Sequence, residues 1–102
     1  MPDSESTEPP RSITVALFEL GSLVATPGVL SEISQEEIMA SLTRHLAGDW
    51  GELDEHDRNA NDSALEAKGR LVSVYTCANG TRFYIITEWD RSVTTVLLPE
   101  EY

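Results

Sequence analysis

Positive charge is scarce in this sequence. Its 102 residues hold seven Lys and Arg against eighteen Asp and Glu, a formal net charge of -11 at pH 7. A chain this acidic repels DNA and RNA, because phosphate binding needs Lys or Arg to displace counterions. The seven cations are scattered, and Tyr75, Phe83 and Tyr84 lack the basic neighbours of a base-stacking platform. Direct nucleic-acid binding is excluded on that ground. Cysteine is scarcer still. Cys77 stands alone, so no intramolecular disulfide forms and no cysteine pair exists for a structural zinc. It sits in an expected strand with no histidine near it in sequence, which reads as a small packing residue rather than a nucleophile. Long apolar runs are missing, so nothing spans a bilayer. The start, MPDSESTEPPRS, lacks the basic-then-apolar order of a signal peptide, and the expected location is the cytoplasm. No GxSxG, P-loop, GxGxxG or HExxH is present, which removes the enzyme classes those motifs announce.

The remaining composition is that of one globular domain, with 40% hydrophobic and 25% charged residues. Residues 1–11, polar and with three prolines, make an expected disordered acidic tail. Residues 12–102 form the single domain. Ser12 to Thr26 reads as extended, with Gly21 as a bulge or turn. Thr26-Pro27 caps a short helical turn to Ile33. Ser34-Gln35-Glu36-Glu37 is a capping box opening a helix from Gln35 to Ala47, with Ile38, Met39, Leu42 and Leu46 at helical spacing and Gly48 as its stop. After Asp49-Trp50-Gly51, Asp54 caps a second helix from Glu55 to Lys68. Its apolar stripe is thin, so packing anchored by Leu53 and Trp50 is expected to hold it. Arg70 to Leu98 is a three-stranded antiparallel meander. Asn79-Gly80 predicts a two-residue type I′ turn, which sets Val74 opposite Ile85. Asp90-Arg91 predicts a second turn that sets Ile85 opposite Val96. The expected core face holds Val72, Val74, Phe83, Ile85, Val96 and Leu98. The other face holds Ser73, Tyr75, Cys77, Tyr84, Ile86 and Leu97, and needs cover from the N-terminal segment or from a second copy of the chain. The fold class is therefore α+β: an N-terminal extended segment, two tandem helices and a C-terminal meander.

Candidate chemistry concentrates in His45 to Asp62. His45, Asp49 and His56, with Asp57, are metal-ligand types inside one helix-loop-helix bend, although their spacing follows no ligand signature. The calcium-loop pattern is absent. The acids serve equally as helix caps and as a contact surface. Trp50, Glu52, Asp54, Glu55, Asp57 and Asp62 are the candidate binding residues, with Glu36 and Glu37 on the preceding helix. Closely spaced carboxylates of this kind imitate a phosphate backbone.

Three stretches, LVATPGVL (Leu23 to Leu30), RHLAGDWGELDEHDRNAND (Arg44 to Asp62) and YIITEWDRSVTTVLLPEEY (Tyr84 to Tyr102), resemble a family of small proteins encoded on plasmids, prophages and integrative elements. Such proteins are often labelled plasmid-related protein or type I restriction endonuclease subunit M. The resemblance implies an accessory role for a mobile element in a bacterium. It does not carry the restriction label over, because the chain has no room for a methyltransferase domain and no S-adenosylmethionine glycine loop. The expectation is a non-enzymatic acidic protein, without cofactor, that binds a protein partner. Its sharpest form is an inhibitor of a host defence or nucleic-acid-handling system acting by charge mimicry, an antirestriction role. The alternatives are a metal-binding protein or metal-dependent enzyme using His45, Asp49 and His56, and a structural homodimer joined through the outer sheet face.

Overall fold

The computed structural model describes residues 16–102. The expected tail and the first part of the extended segment, residues 1–15, lie outside the described residues. The described chain is α+β. Strand β1 (Ser22–Ala25) is followed by helices α1 (Pro27–Glu32), α2 (Gln35–Leu46) and α3 (Glu55–Ala67). Strands β2 (Leu71–Thr76), β3 (Arg82–Thr87) and β4 (Val93–Leu97) and a 3-10 turn (Pro99–Glu101) complete it.

The helices start where their caps put them. The Thr26 hydroxyl accepts from the Val29 N–H, Ser34 from the Glu37 N–H and Asp54 from the Asp57 N–H. Each cap satisfies one of the donors that the first helical turn leaves free. Ile38 and Leu42 of α2 are buried with Val29 and Ile33 against Phe83, Ile85 and Val96 of the sheet. This is the main core.

The sheet has four strands, in the order β1-β4-β3-β2, rather than the three of a bare meander. Among the described residues the N-terminal segment does not lie across the outer face of the sheet as expected. Its last part joins the sheet edge as β1, parallel to β4, with Ala25 beside Val96. Gly21, with φ 67°, makes the turn into it.

The register of β3 on β4 is as expected, with Ile85 opposite Val96. That of β2 on β3 is shifted by one residue. Val74 lies opposite Tyr84 and Tyr75 opposite Phe83. The hairpin loop holds three residues, not two. The Cys77 N–H donates to Thr81 O at 2.9 Å, and the Gly80 N–H to Cys77 O at 2.9 Å. Only Gly80 takes positive φ, at 90°. Asn79 stays out of that region because its side chain is engaged. Its Oδ1 accepts the Thr81 N–H, and its Nδ2 donates to Glu32 O at 3.0 Å. The loop is thus a tight turn closed by a glycine bulge, the three-residue alternative to the type I′ hairpin.

A one-residue shift moves every side chain of a strand to the other face. Leu71, Ser73, Tyr75 and Cys77 therefore face the helices and are buried, while Val72 and Val74 are half-buried on the outer face. Tyr75 and Phe83 pack at 5.9 Å between ring centroids. The outer face is partly covered by the chain itself. Tyr102 sits edge-on to Tyr84 at 6.1 Å, and its hydroxyl accepts from Arg70 Nη1 at 2.8 Å. Arg70 also pairs with Glu88, its cross-strand neighbour. Ile86 and Leu97 on that face are only 4% and 7% exposed, so they need no second copy to cover them.

Candidate functional site

His45 enters the sheet from the last turn of α2 and is fully buried, not half-buried as its place beside the apolar stripe suggests. Ser73 on β2 meets its Nδ1 at 2.6 Å, and Thr87 on β3 meets its Nε2 at 2.9 Å. The chain of hydroxyls continues. Thr87 Oγ1 lies 2.7 Å from Thr94 Oγ1, and Thr94 donates to the Leu20 carbonyl at 2.7 Å.

Each hydroxyl has one proton, which settles the directions from Leu20 back to His45. A carbonyl only accepts, so the Thr94 proton goes to Leu20 and Thr94 accepts from Thr87. Thr87 then accepts from Nε2–H of His45. Burial keeps the imidazole neutral, so Nδ1 is bare and accepts the Ser73 hydroxyl proton.

Burial, with the Arg91 guanidinium adding to it, pushes the His45 pKa from the ordinary 6.5 down to about 4. Phe18 and Trp50 close the ring in, with centroids 5.2 and 5.6 Å away. The Ser73–His45 pair has the atoms of a nucleophile and its base. It has no access to a substrate, since Ser73 and His45 both show zero exposure.

The sign of the pH effect follows from that neutral ring. The unfolded chain takes up a proton at this histidine below pH 6.5, and the folded chain resists until about pH 4. Stability from this group is complete above pH 6.5 and is lost as pH falls through that window, by about 3 kcal/mol. Urea midpoints measured across the range should fall accordingly, and the imidazole resonances of His45 should move only towards the acid end. A midpoint that rises on acidification, as relief of the net negative charge alone would give, contradicts this assignment.

The other metal-ligand candidates go elsewhere. Asp49 forms a two-point ion pair with Arg44, with Nε to Oδ2 at 2.7 Å and Nη2 to Oδ1 at 3.2 Å. That bond is the main reason its carboxyl titrates below its ordinary value. Its Oδ1 also takes the Gly51 N–H, which shapes the Asp-Trp-Gly turn. His56 is exposed in the first turn of α3. The His45, Asp49 and His56 metal site is therefore corrected. The core holds one member, an ion pair holds another, and no group of three His, Cys, Asp or Glu converges among the described residues.

Trp50 is also corrected as a contact residue. It is 3% exposed, and its indole N–H donates to Asp62 at 3.0 Å. It anchors α3 from within, as the thin stripe on that helix requires. Glu52 accepts from the Thr76 hydroxyl at 2.6 Å and pairs with Arg82 at 3.3 Å. Asp54 is the helix cap.

Asn61 has the strongest role on α3, and composition gave no sign of it beyond its poor helix propensity. Its amide donates to Val72 O at 2.7 Å and accepts the Val72 N–H at 3.2 Å, as a neighbouring strand would. Arg91 is the other residue missed. Its guanidinium donates to the carbonyls of Gly69, Glu88, Trp89 and Ala64. It thereby ties the end of α3, whose carbonyls favour a cation, to the β3–β4 loop.

Some of the acids meet at one end of the molecule. Glu37 of α2 accepts the Ala78 N–H at 2.6 Å, and Glu52 reaches Thr76 and Arg82. The starts of α2 and α3 therefore both meet the β2–β3 hairpin end of the sheet. Glu37 and Glu52 touch that pole, Glu36, Asp54 and Glu55 are their near neighbours in sequence, and Asp57 lines a groove with Arg70 and Val72.

No protein-family model, curated protein or solved structure matches this chain. No helix among the described residues is long and apolar enough to cross a membrane.

Proposed function

We propose that the protein is a non-enzymatic acidic binding protein, and that the pole made by the starts of α2 and α3 meets a basic surface on a protein partner. The partner class that fits is a protein whose own ligand is nucleic acid, held off by carboxylates standing in for phosphates. The sequence resemblance adds the setting of a bacterial mobile element countering a host defence system.

One observation carries this reading: among the described residues five of the six cations are engaged by carboxylates or carbonyls, with Lys68 the exposed exception, while several carboxylates stand exposed outside such pairs. Among the described residues, Arg44, Arg70 and Arg82 sit in ion pairs. Arg91 is held by four carbonyls and Arg58 by that of Leu53. Glu36, Glu55 and Asp57 stand exposed outside those pairs. The groups with catalytic chemistry, His45 and Ser73, are committed to the core network.

The test starts with capture of a partner from host lysate, followed by affinity measured against salt with both proteins purified. Affinity should fall as salt rises, because exposed charges are screened over about 8 Å at physiological ionic strength. The triple change Glu36→Gln, Glu55→Gln, Asp57→Asn touches no cap and no buried contact. It should weaken binding about tenfold or more, chiefly through the association rate. A salt-independent partner, or one indifferent to the triple change, removes the charge-mimicry reading.

A further inference from the structure

The two edges of the sheet are finished in different ways. On β2 the outward backbone groups are sealed. The Val74 N–H donates to Trp50 O at 3.2 Å, the Glu52 N–H to Val74 O at 2.8 Å, and Asn61 holds both groups of Val72. On β1 the Ser22 and Thr26 N–H groups point to β4, reaching Ser92 O and Val96 O. Alternation along the strand turns the N–H and C=O of Leu23 and Ala25 outward. Among the described residues nothing pairs with them.

β1 carries no lysine, proline, bulge or inward charge, and its four-residue length is the one protection it has against edge pairing. It reads SLVA, uncharged in a chain one-quarter charged. Leu23 and Val24 are 46% and 44% exposed, and Leu30, on the helix that β1 leads into, is 66% exposed.

We propose that the β1 edge is a self-association surface, on which a second copy of this chain adds its own β1 in antiparallel pairing. Leu23 exchanges two backbone hydrogen bonds with the partner's Ala25, and Ala25 with the partner's Leu23. Val24 then lies on the two-fold axis, facing its own copy in the closely spaced, non-bonded kind of pair. The two sheets become one of eight strands.

Of the two sheet edges, β1 is the one farther from α3, which carries four carboxylates and one arginine and packs on β2. The acid placed at the end of β1 is Glu101, whose carboxylate is engaged by Thr26 and Gly28. Pairing at β1 sets the two α3 helices at opposite ends of the joined sheet. At about 4.8 Å per strand they are more than 30 Å apart, several screening lengths. Anywhere nearer α3, two chains of net charge -11 would repel each other.

The full chain in light scattering over a concentration series should move from its 11.3 kDa mass to twice that value. Leu23→Lys, at a half-exposed position, should shift the dimer to monomer by tenfold or more in dissociation constant with an unchanged circular dichroism spectrum. Val24→Cys should cross-link to itself under oxidised glutathione, because Cα atoms about 4.5 Å apart in such a pair suit a disulfide. The native Cys77 is buried, and Val72→Cys on the opposite edge strand should stay monomeric under the same oxidation. A mass of 11.3 kDa at every concentration overturns the proposal. So does a dimer that Val24→Cys fails to cross-link, since its interface then lies elsewhere. Salt should strengthen this association of like-charged chains, opposite to its effect on a basic partner, so the two readings fail independently.

Discussion

Replacing His45 with alanine should lower the unfolding free energy by about 4 kcal/mol. Two losses combine. The imidazole is fully buried between α2 and the sheet, beside Phe18 and Trp50, so its removal leaves a cavity that three elements bound. The Ser73 hydroxyl also loses its acceptor, and the Thr87 hydroxyl loses the donor that fed it. A buried polar group left without a partner costs about 1–3 kcal/mol, more than an average hydrogen bond contributes when made. Urea denaturation of the variant measures the sum. The double change His45→Ala, Ser73→Ala separates the parts. It should be less destabilising than the two single changes added together, because it removes the stranded hydroxyl along with its partner. Strict additivity would mean that the 2.6 Å contact between them contributes nothing.

Gly51→Ala should cost about 3 kcal/mol or more, against about 1 kcal/mol for Gly80→Ala. Both glycines have positive φ, 76° and 90°, so both changes carry the same backbone strain. The surroundings differ. A Cβ on Gly51 would meet the Val74 carbonyl and the Tyr75 ring, whereas one on Gly80 meets nothing within 4 Å. Gly51 is where the chain runs beside β2 and seals its edge, and the backbones can approach only without a side chain. Thermal or urea unfolding of the pair isolates the close approach from the dihedral. Equal costs would refute it. Gly51→Ala should also expose the outward groups of Val74 to hydrogen exchange, which Gly80→Ala leaves protected.

Local signals in the sequence located most elements, and for local reasons. The capping residues Thr26, Ser34 and Asp54 start their helices where their oxygens accept backbone N–H groups three residues on. The helical spacing of Ile38 and Leu42 marks the buried side of α2. The second hairpin follows from the alternation of Phe83 and Ile85 with Val96. The first hairpin shows the limit. Asn79-Gly80 suits either a two-residue turn or a three-residue loop with a glycine bulge, and the residues of β2 are apolar enough on both faces to accept either. The choice was made by the Asn79 bond to Glu32, on a helix 47 residues earlier.

The stretch from His45 to Asp62 divides in the same way. Its helix end, its cap at Asp54 and its acidity are properties of neighbouring residues, and they stand in the structure. That His45 is neutral and enclosed, that Asp49 belongs to Arg44, that Trp50 is inside and that Asn61 imitates a strand are facts about partners distant in sequence. No period or motif encodes them. The sequence by itself determined the helix starts, the strand content and the charge, because each depends on residues a few positions apart. Only the tertiary structure decided the face of β2, the place of β1 beside β4 and the histidine network. Those depend on which backbone and hydroxyl groups, 28 to 74 residues apart, find one another when the core closes.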